Sequence, residues 1–168
     1  RHTRNKPLAF DLTIILLENQ ALMQEDSIFW KDIRPFTEDF EPERSNFNAM
    51  NERHRQIFNQ QLGELELLPG RFDISMKGIM AIFTVVYKSN DLAFQKEWLK
   101  KMENASHSYP EYKSFVAYIT DKVARLENRP QVYGTQIIEG KMYKLIEPEK
   151  INERRVKMNL SRIRLSDY

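Results

Sequence analysis

IMAIFTVVY, residues 79–87, carries one polar side chain in nine positions, and its conformation decides the fold. Periodicity cannot separate a core strand from a buried helix in a run this short and this apolar. The flanks favour helix. Ser75 offers an N-cap, and the polar residues on either side allow about 15 residues of helix rather than a strand of five or six. Continuous apolarity then requires cover on nearly every side, so Ile82, Val85 and Val86 are expected in a central helix. Leu12–Leu17 are the expected neighbours.

The rest of the chain supplies that cover. Leu8–Met23 (LAFDLTIILLENQALM) reads as a buried helix with Pro7 in its first turn. Residues 24–42, with Pro35, Pro42 and the run TEDFEPE, read as a loop-rich connection docked by Phe29, Trp30 and Phe36. Pro42 suits the start of another helix, in which Phe47, Met50, His54, Ile57 and Gln61 share one face, ended by Leu68-Pro69-Gly70. Asp91 is a natural N-cap for a helix whose Phe94, Trp98 and Met102 recur at i, i+4 and i+8, with Lys100 and Lys101 near its C-terminus. Tyr112–Leu126 gives a further helix, with Phe115, Ile119 and Leu126 on one face and Asp121 and Arg125 spaced as an ion pair.

Beyond Leu126 the pattern changes. Val132, Ile137, Ile138, Met142, Tyr143, Leu145 and Ile146 surround the turn Glu139-Gly140, which predicts a β-hairpin over 129–147. Pro148 opens a short last helix with Asn152, Arg154 and Arg155, leaving 148–168 as helix and tail. The expected architecture is mainly α: a single-domain helical bundle over 1–168, of five to six helices with a small C-terminal β-hairpin.

Composition bounds the function. At 168 residues the chain suits one domain, and 30% charged with 41% hydrophobic residues is the balance of a soluble globular protein. A formal net charge of +2 does not announce nucleic-acid binding, although Lys141 onward holds eight Lys or Arg against four Asp or Glu. Cysteine is absent, which excludes disulfides, thiolate metal sites and a cysteine nucleophile. The three histidines, His2, His54 and His107, lie far apart, so no metal and no cofactor are expected. His54, on an apolar face, reads as a core histidine. No apolar run approaches the ~20 residues that span a bilayer. The chain begins at Arg1, so the compartment, and any signal or anchor removed upstream, stay open.

No Gly-rich phosphate loop, zinc motif or nucleophile elbow is present. What remains is the polar cluster Gln131, Tyr133, Thr135 and Gln136. In an alternating strand Gln131, Tyr133 and Thr135 share one face, and none of them needs to ionise near neutrality. Such a face suits recognition of a neutral or anionic ligand; the same groups can equally satisfy the backbone at a turn. Gly134 signals a bulge, a positive φ or a close backbone approach.

The stretch YITDKVARLENRPQVYGTQ, residues 118–136, resembles the signature of a bacterial domain family of unknown function. Members typically carry a helix ending in an Asp-Arg pair, a short link, and PQxYGTQ or PQxYGSQ. Asp91–Leu99, Glu147-Pro148, Ile151–Arg155 and the closing Leu165–Tyr168 are similar to further family features, so the likeness covers about residues 50–168. It implies roles for Asp121, Gln131, Tyr133, Gly134, Thr135, Gln136, Arg154 and Arg155. Many members also have Gln-His-x-Asp at the end of the central helix, where this chain has Val86, Tyr87, Lys88 and Ser89. Lys122 replaces the arginine after Asp121. Tyrosine titrates near ~10 and is a poor base at neutral pH.

Two functional expectations follow. The first is a non-catalytic module that binds a protein partner or a small polar or anionic ligand through Gln131, Tyr133, Thr135 and Gln136, with Arg154 and Arg155 as forked donors. The second is an enzyme, hydrolase-like, with Asp121 as acid or base and Gln131 and Tyr133 positioning substrate.

Overall fold

A computed structural model describes residues 44–167, with side chains from 52 to 166. The expected helix over 8–23 and the connection 24–42 lie outside the described residues. Five α-helices are present among those described: α1 Arg44–Leu62, α2 Arg71–Lys88, α3 Leu92–Ser108, α4 Lys113–Leu126 and α5 Ile151–Lys157. One two-stranded antiparallel hairpin, β1 Ile137–Ile138 and β2 Lys141–Met142, precedes α5. The protein is mainly helical, as its sequence predicts.

IMAIFTVVY is helical and lies in α2. Ile82 and Val86 are fully buried, and Val85 nearly so, because α2 touches α1, α3 and α4 together. The polar Thr84 is accommodated by donating its hydroxyl to the Met80 carbonyl one turn back, at 2.8 Å. The helix breaks at Ser75, whose φ of 70° is left-handed; the Ser75 Oγ accepts the Gly78 amide at 3.5 Å, marking the start of the second, longer segment. Ahead of the break, Asp73 reaches back to the Gly70 amide at 2.9 Å.

The expected stripes fill the core. Phe94, Trp98 and Met102 are buried on α3, and Trp98 meets Phe58 of α1 at 5.1 Å between ring centroids. Asp91 caps α3 by accepting the Phe94 amide at 3.0 Å. α3 and α4 pack on each other and are joined by the 3-10 turn Pro110–Tyr112, which anchors to the Pro69 carbonyl through the Tyr112 hydroxyl at 2.8 Å. Two face assignments differ from expectation. On α1 the inward residues are His54, Phe58 and Leu62, with Ile57 partly buried against the core, while Gln61 is exposed because its neighbour Leu62 takes the inward position in the last turn; the helix ends there, ahead of the Leu68-Pro69-Gly70 stop. On α4 Leu126 is exposed, since the helix terminates there and Val123 and Ala124 make the inward contacts instead.

The C-terminus of α2 is held by two neighbours. Gln95 Nε2 donates to the carbonyls of Val86, Tyr87 and Ser89 at 3.2, 3.4 and 2.7 Å. Lys122 Nζ donates to the Tyr87 and Ser89 carbonyls and lies 4.8 Å from the centre of the Tyr87 ring. These are the carbonyls that a helix end leaves without intrahelical donors, and a cation there also meets the negative end of the helix dipole. α4 closes with Asn128 in the left-handed region at φ 56°, the Asn128 amide bonding the Arg125 carbonyl at 2.9 Å and the Arg129 amide the Ala124 carbonyl at 2.8 Å. Pro130 follows, and the chain turns back.

Candidate functional site

The site is built on one carboxylate. Asp121 sits on the buried face of α4, and the chain that returns after Pro130 curls around it. Oδ1 accepts the Val132 amide at 2.7 Å and the Tyr133 amide at 3.0 Å. Oδ2 accepts the Thr135 amide and the Thr135 hydroxyl, each at 2.9 Å, and shares the Tyr133 amide at 3.2 Å. Burial pushes the carboxyl above the usual aspartate value, and the bonds from Thr135, Tyr133 and Val132 act against burial. All of these donors present hydrogen to Asp121, so the ionised form is the one the loop is shaped to hold.

That convergence overrides the alternating strand expected for 131–135. The amides of 132, 133 and 135 must point the same way to reach one carboxylate, which an extended strand forbids. Regular pairing is confined to Ile137–Ile138 against Lys141–Met142. Its two-residue turn has φ of 49° at Glu139 and 75° at Gly140, the paired positive values that a tight hairpin requires. Tyr143 N extends the pairing to Gln136 O at 3.0 Å, and Gln131 makes a separate parallel bridge with Leu145, its amide donating to the Lys144 carbonyl at 2.9 Å.

Each expected ligand-binding residue has a definite place. Gln131 is fully buried and ties the loop to the hairpin: its Nε2 donates to the Gln136 and Tyr143 carbonyls at 2.9 and 2.8 Å, and its Oε1 accepts the Gln136 amide at 2.8 Å. Gln136, also buried, donates from Nε2 to the Tyr87 hydroxyl and to Thr135 Oγ1, both at 3.3 Å. Arg154 Nε donates to the Val132 carbonyl at 2.8 Å, and its Nη2 to the carbonyls of Ile146 and Glu147. Arg155, largely buried, reaches the Tyr133 carbonyl at 2.7 Å and the Ser161 carbonyl at 2.6 Å. The two guanidiniums therefore serve the outward-turned carbonyls of the loop whose amides Asp121 collects. Backbone donors go to the carboxylate and backbone acceptors to the arginines.

Tyr133 is different. Its backbone is fixed from both sides, but its side chain is only half-buried, and its hydroxyl has no hydrogen-bond partner among the described residues. Partial burial and the nearby charges of Asp121 and Glu103 hold its hydroxyl above the usual tyrosine value, with Arg154 opposing. Gly134, at φ 68°, is both a left-handed residue and a point of close approach: a Cβ there would lie 2.6 Å from Ile151 Cδ1.

The residue the site contains beyond those expected is Tyr87. It closes α2 and meets Gln136 across the junction of helix and loop. Its signal in the sequence is position: it ends the apolar run, where a hydroxyl needs a partner once buried. Among the described residues no group of three or more His, Cys, Asp or Glu is arranged to hold a metal ion, and no helix is long and apolar enough to cross a membrane. Comparison with known protein families, curated proteins and solved structures gives no match.

Proposed function

We propose that the chain is a non-catalytic binding module, of the kind expected for the bacterial domain family its loop resembles, and that it engages a protein partner or small polar ligand at Tyr133. The observation that carries this reading is a contrast within one loop. Asp121, Gln131, Thr135 and Gln136 direct their polar atoms inward, and Arg154 and Arg155 hold its carbonyls, whereas the Tyr133 side chain is only half-buried and its hydroxyl has no partner among the described residues. A rigid loop that presents one amphipathic ring loses little conformational entropy on binding. Aromatic residues of this type are enriched at binding surfaces for their large contact area and polar tip.

The competing reading makes Asp121 an acid or base. Both of its oxygens are already occupied by amide and hydroxyl donors, so a substrate proton would have to displace the bonds that shape the loop. That weighs against proton transfer at this carboxylate.

The test is site-specific photo-crosslinking in cells that express the gene, with a benzophenone side chain at position 133 and, as control, at Gln56, which is exposed on α1. A discrete adduct from position 133 alone is the expected result. Tyr133→Phe should weaken that interaction, measured with the purified partner, and leave Tm within about a degree, because the lost hydroxyl contributes no bond to the fold. Equal labelling from both positions, or a Tyr133→Phe variant that binds normally, would overturn the reading.

A further inference from the structure

Among the described residues, the buried core of the bundle runs from Phe58 to Val123 and includes no residue of the C-terminal segment. That segment has a small apolar nucleus of its own, with Ile151, Met142 and Ile163 converging on Gly134 at 2.6, 3.3 and 3.4 Å from where a Cβ would stand. It is also stitched to itself. Arg155 spans Tyr133 and Ser161, and Asn152 exchanges two bonds with Ile163, Nδ2 to the carbonyl at 3.0 Å and Oδ1 from the amide at 2.8 Å.

Its attachment to the bundle is of another kind. The donors of Val132, Tyr133 and Thr135 all end on Asp121. Gln136 meets the Tyr87 hydroxyl, Asn159 Nδ2 reaches the Pro110 carbonyl at 3.2 Å, and Met158 packs against the edge of the core. The covalent link is short and shaped by the left-handed Asn128 and by Pro130.

We propose that residues 131–163 form a latch that opens from the helical bundle as one unit about the 128–130 link, with the Asp121 carboxylate as its fastening. Units that share more bonds internally than with their surroundings open cooperatively below the global unfolding transition. Here the internal bonds tie loop, hairpin and α5 together, while among the described residues most of the polar attachment depends on a single side chain. Opening uncovers the Asp121 carboxylate and the Tyr87 hydroxyl, which the closed loop covers. This inference is independent of what binds at Tyr133.

Hydrogen exchange followed by mass spectrometry on the whole chain tests it. In wild type at low, non-denaturing urea, protection over 131–163 should be at least roughly tenfold lower than over α3, Leu92–Ser108. Asp121→Asn turns an acceptor oxygen into a donor facing amides, and should lower protection in 131–163 by a further roughly 10- to 100-fold with α3 unchanged. Thr135→Val, which removes one donor, should give a smaller change in the same segment. Equal protection of the two regions in wild type would overturn the proposal, whether or not Asp121→Asn folds. So would a variant in which both regions lose protection together, or one in which 131–163 exchanges as in wild type.

Discussion

Thr135 is bonded to Asp121 twice: its amide and its hydroxyl both end on Oδ2 at 2.9 Å, although fourteen residues separate the two in the chain. The pair joins the last long helix to the returning loop. Thr135→Val preserves shape, removes the hydroxyl bond to the buried carboxylate and takes one acceptor from Gln136 Nε2, and should cost about 1.5–3 kcal/mol in urea unfolding. Asp121→Ala, which strands three amides at once, should cost more than Thr135→Val. Equal costs would mean that the hydroxyl, rather than the amide set, holds the loop.

Gly134 and Gly140 both have positive φ, at 68° and 75°, yet differ in surroundings. A Cβ at 134 meets Ile151 Cδ1 at 2.6 Å, whereas none of the neighbouring atoms lies within 4 Å of one at 140. Gly140→Ala should therefore cost only the backbone term of about 1 kcal/mol. Gly134→Ala should cost that and about 1–3 kcal/mol of overpacking besides. Thermal melts of the two variants, compared side by side, check the order.

Lys122 gives the protein a pH dependence with a definite sign. Burial pushes its amine from the ordinary 10.5 down to about 7, with Arg125 acting in the same direction. Between those values the unfolded chain holds a proton that the folded chain has released, so stability should rise with pH from about 7 to 10.5. Below pH 7 both states are protonated and the burial cost is present in full. Lys88, lowered to about 8 by burial, acts with the same sign. Lys122→Met should flatten the rise without abolishing it, while removing one of the two donors to the Tyr87 and Ser89 carbonyls. Stability falling with pH across this window would refute the assignment.

The core stripe of α3 and the end of α4 make a matched pair for mutation. Trp98 is fully buried against Phe58, and Trp98→Ala should cost about 3–5 kcal/mol. Leu126 is exposed, and Leu126→Ala should stay within about 0.5 kcal/mol. Guanidinium unfolding of both variants measures the difference directly.

Local features were readable from the residues. The helix over IMAIFTVVY, the caps at Ser75 and Asp91, the stripe Phe94, Trp98 and Met102 and the turn at Glu139-Gly140 each depend on neighbours within about one turn. Periodicity and capping chemistry encode such neighbours in order, whereas the close approach at Gly134 is made by Ile151, Met142 and Ile163, which only packing brings there. The exceptions fall in last turns: Gln61 and Leu126 keep the period, but Leu62 on α1 and Val123 and Ala124 on α4 take the inward positions.

The destination of the polar groups was not readable in this way. Gln131, Tyr133 and Thr135 alternate in the chain like one face of a strand, but the amides of 132, 133 and 135 turn to a carboxylate on α4. Arg154 and Arg155 look like a pair of free anion-binding forks, and only the packed structure brings the carbonyls of Val132 and Tyr133 within their reach. Tyr87 meets Gln136 across 49 residues. A hydrogen bond requires its two groups to lie within about 3 Å, whereas residue type specifies only what a group is able to donate or accept. Residue order therefore set which segments are helical and which side chains carry bonding capacity; packing set which of those groups pair inside the protein, and left the Tyr133 side chain half-buried with no hydroxyl partner among the described residues.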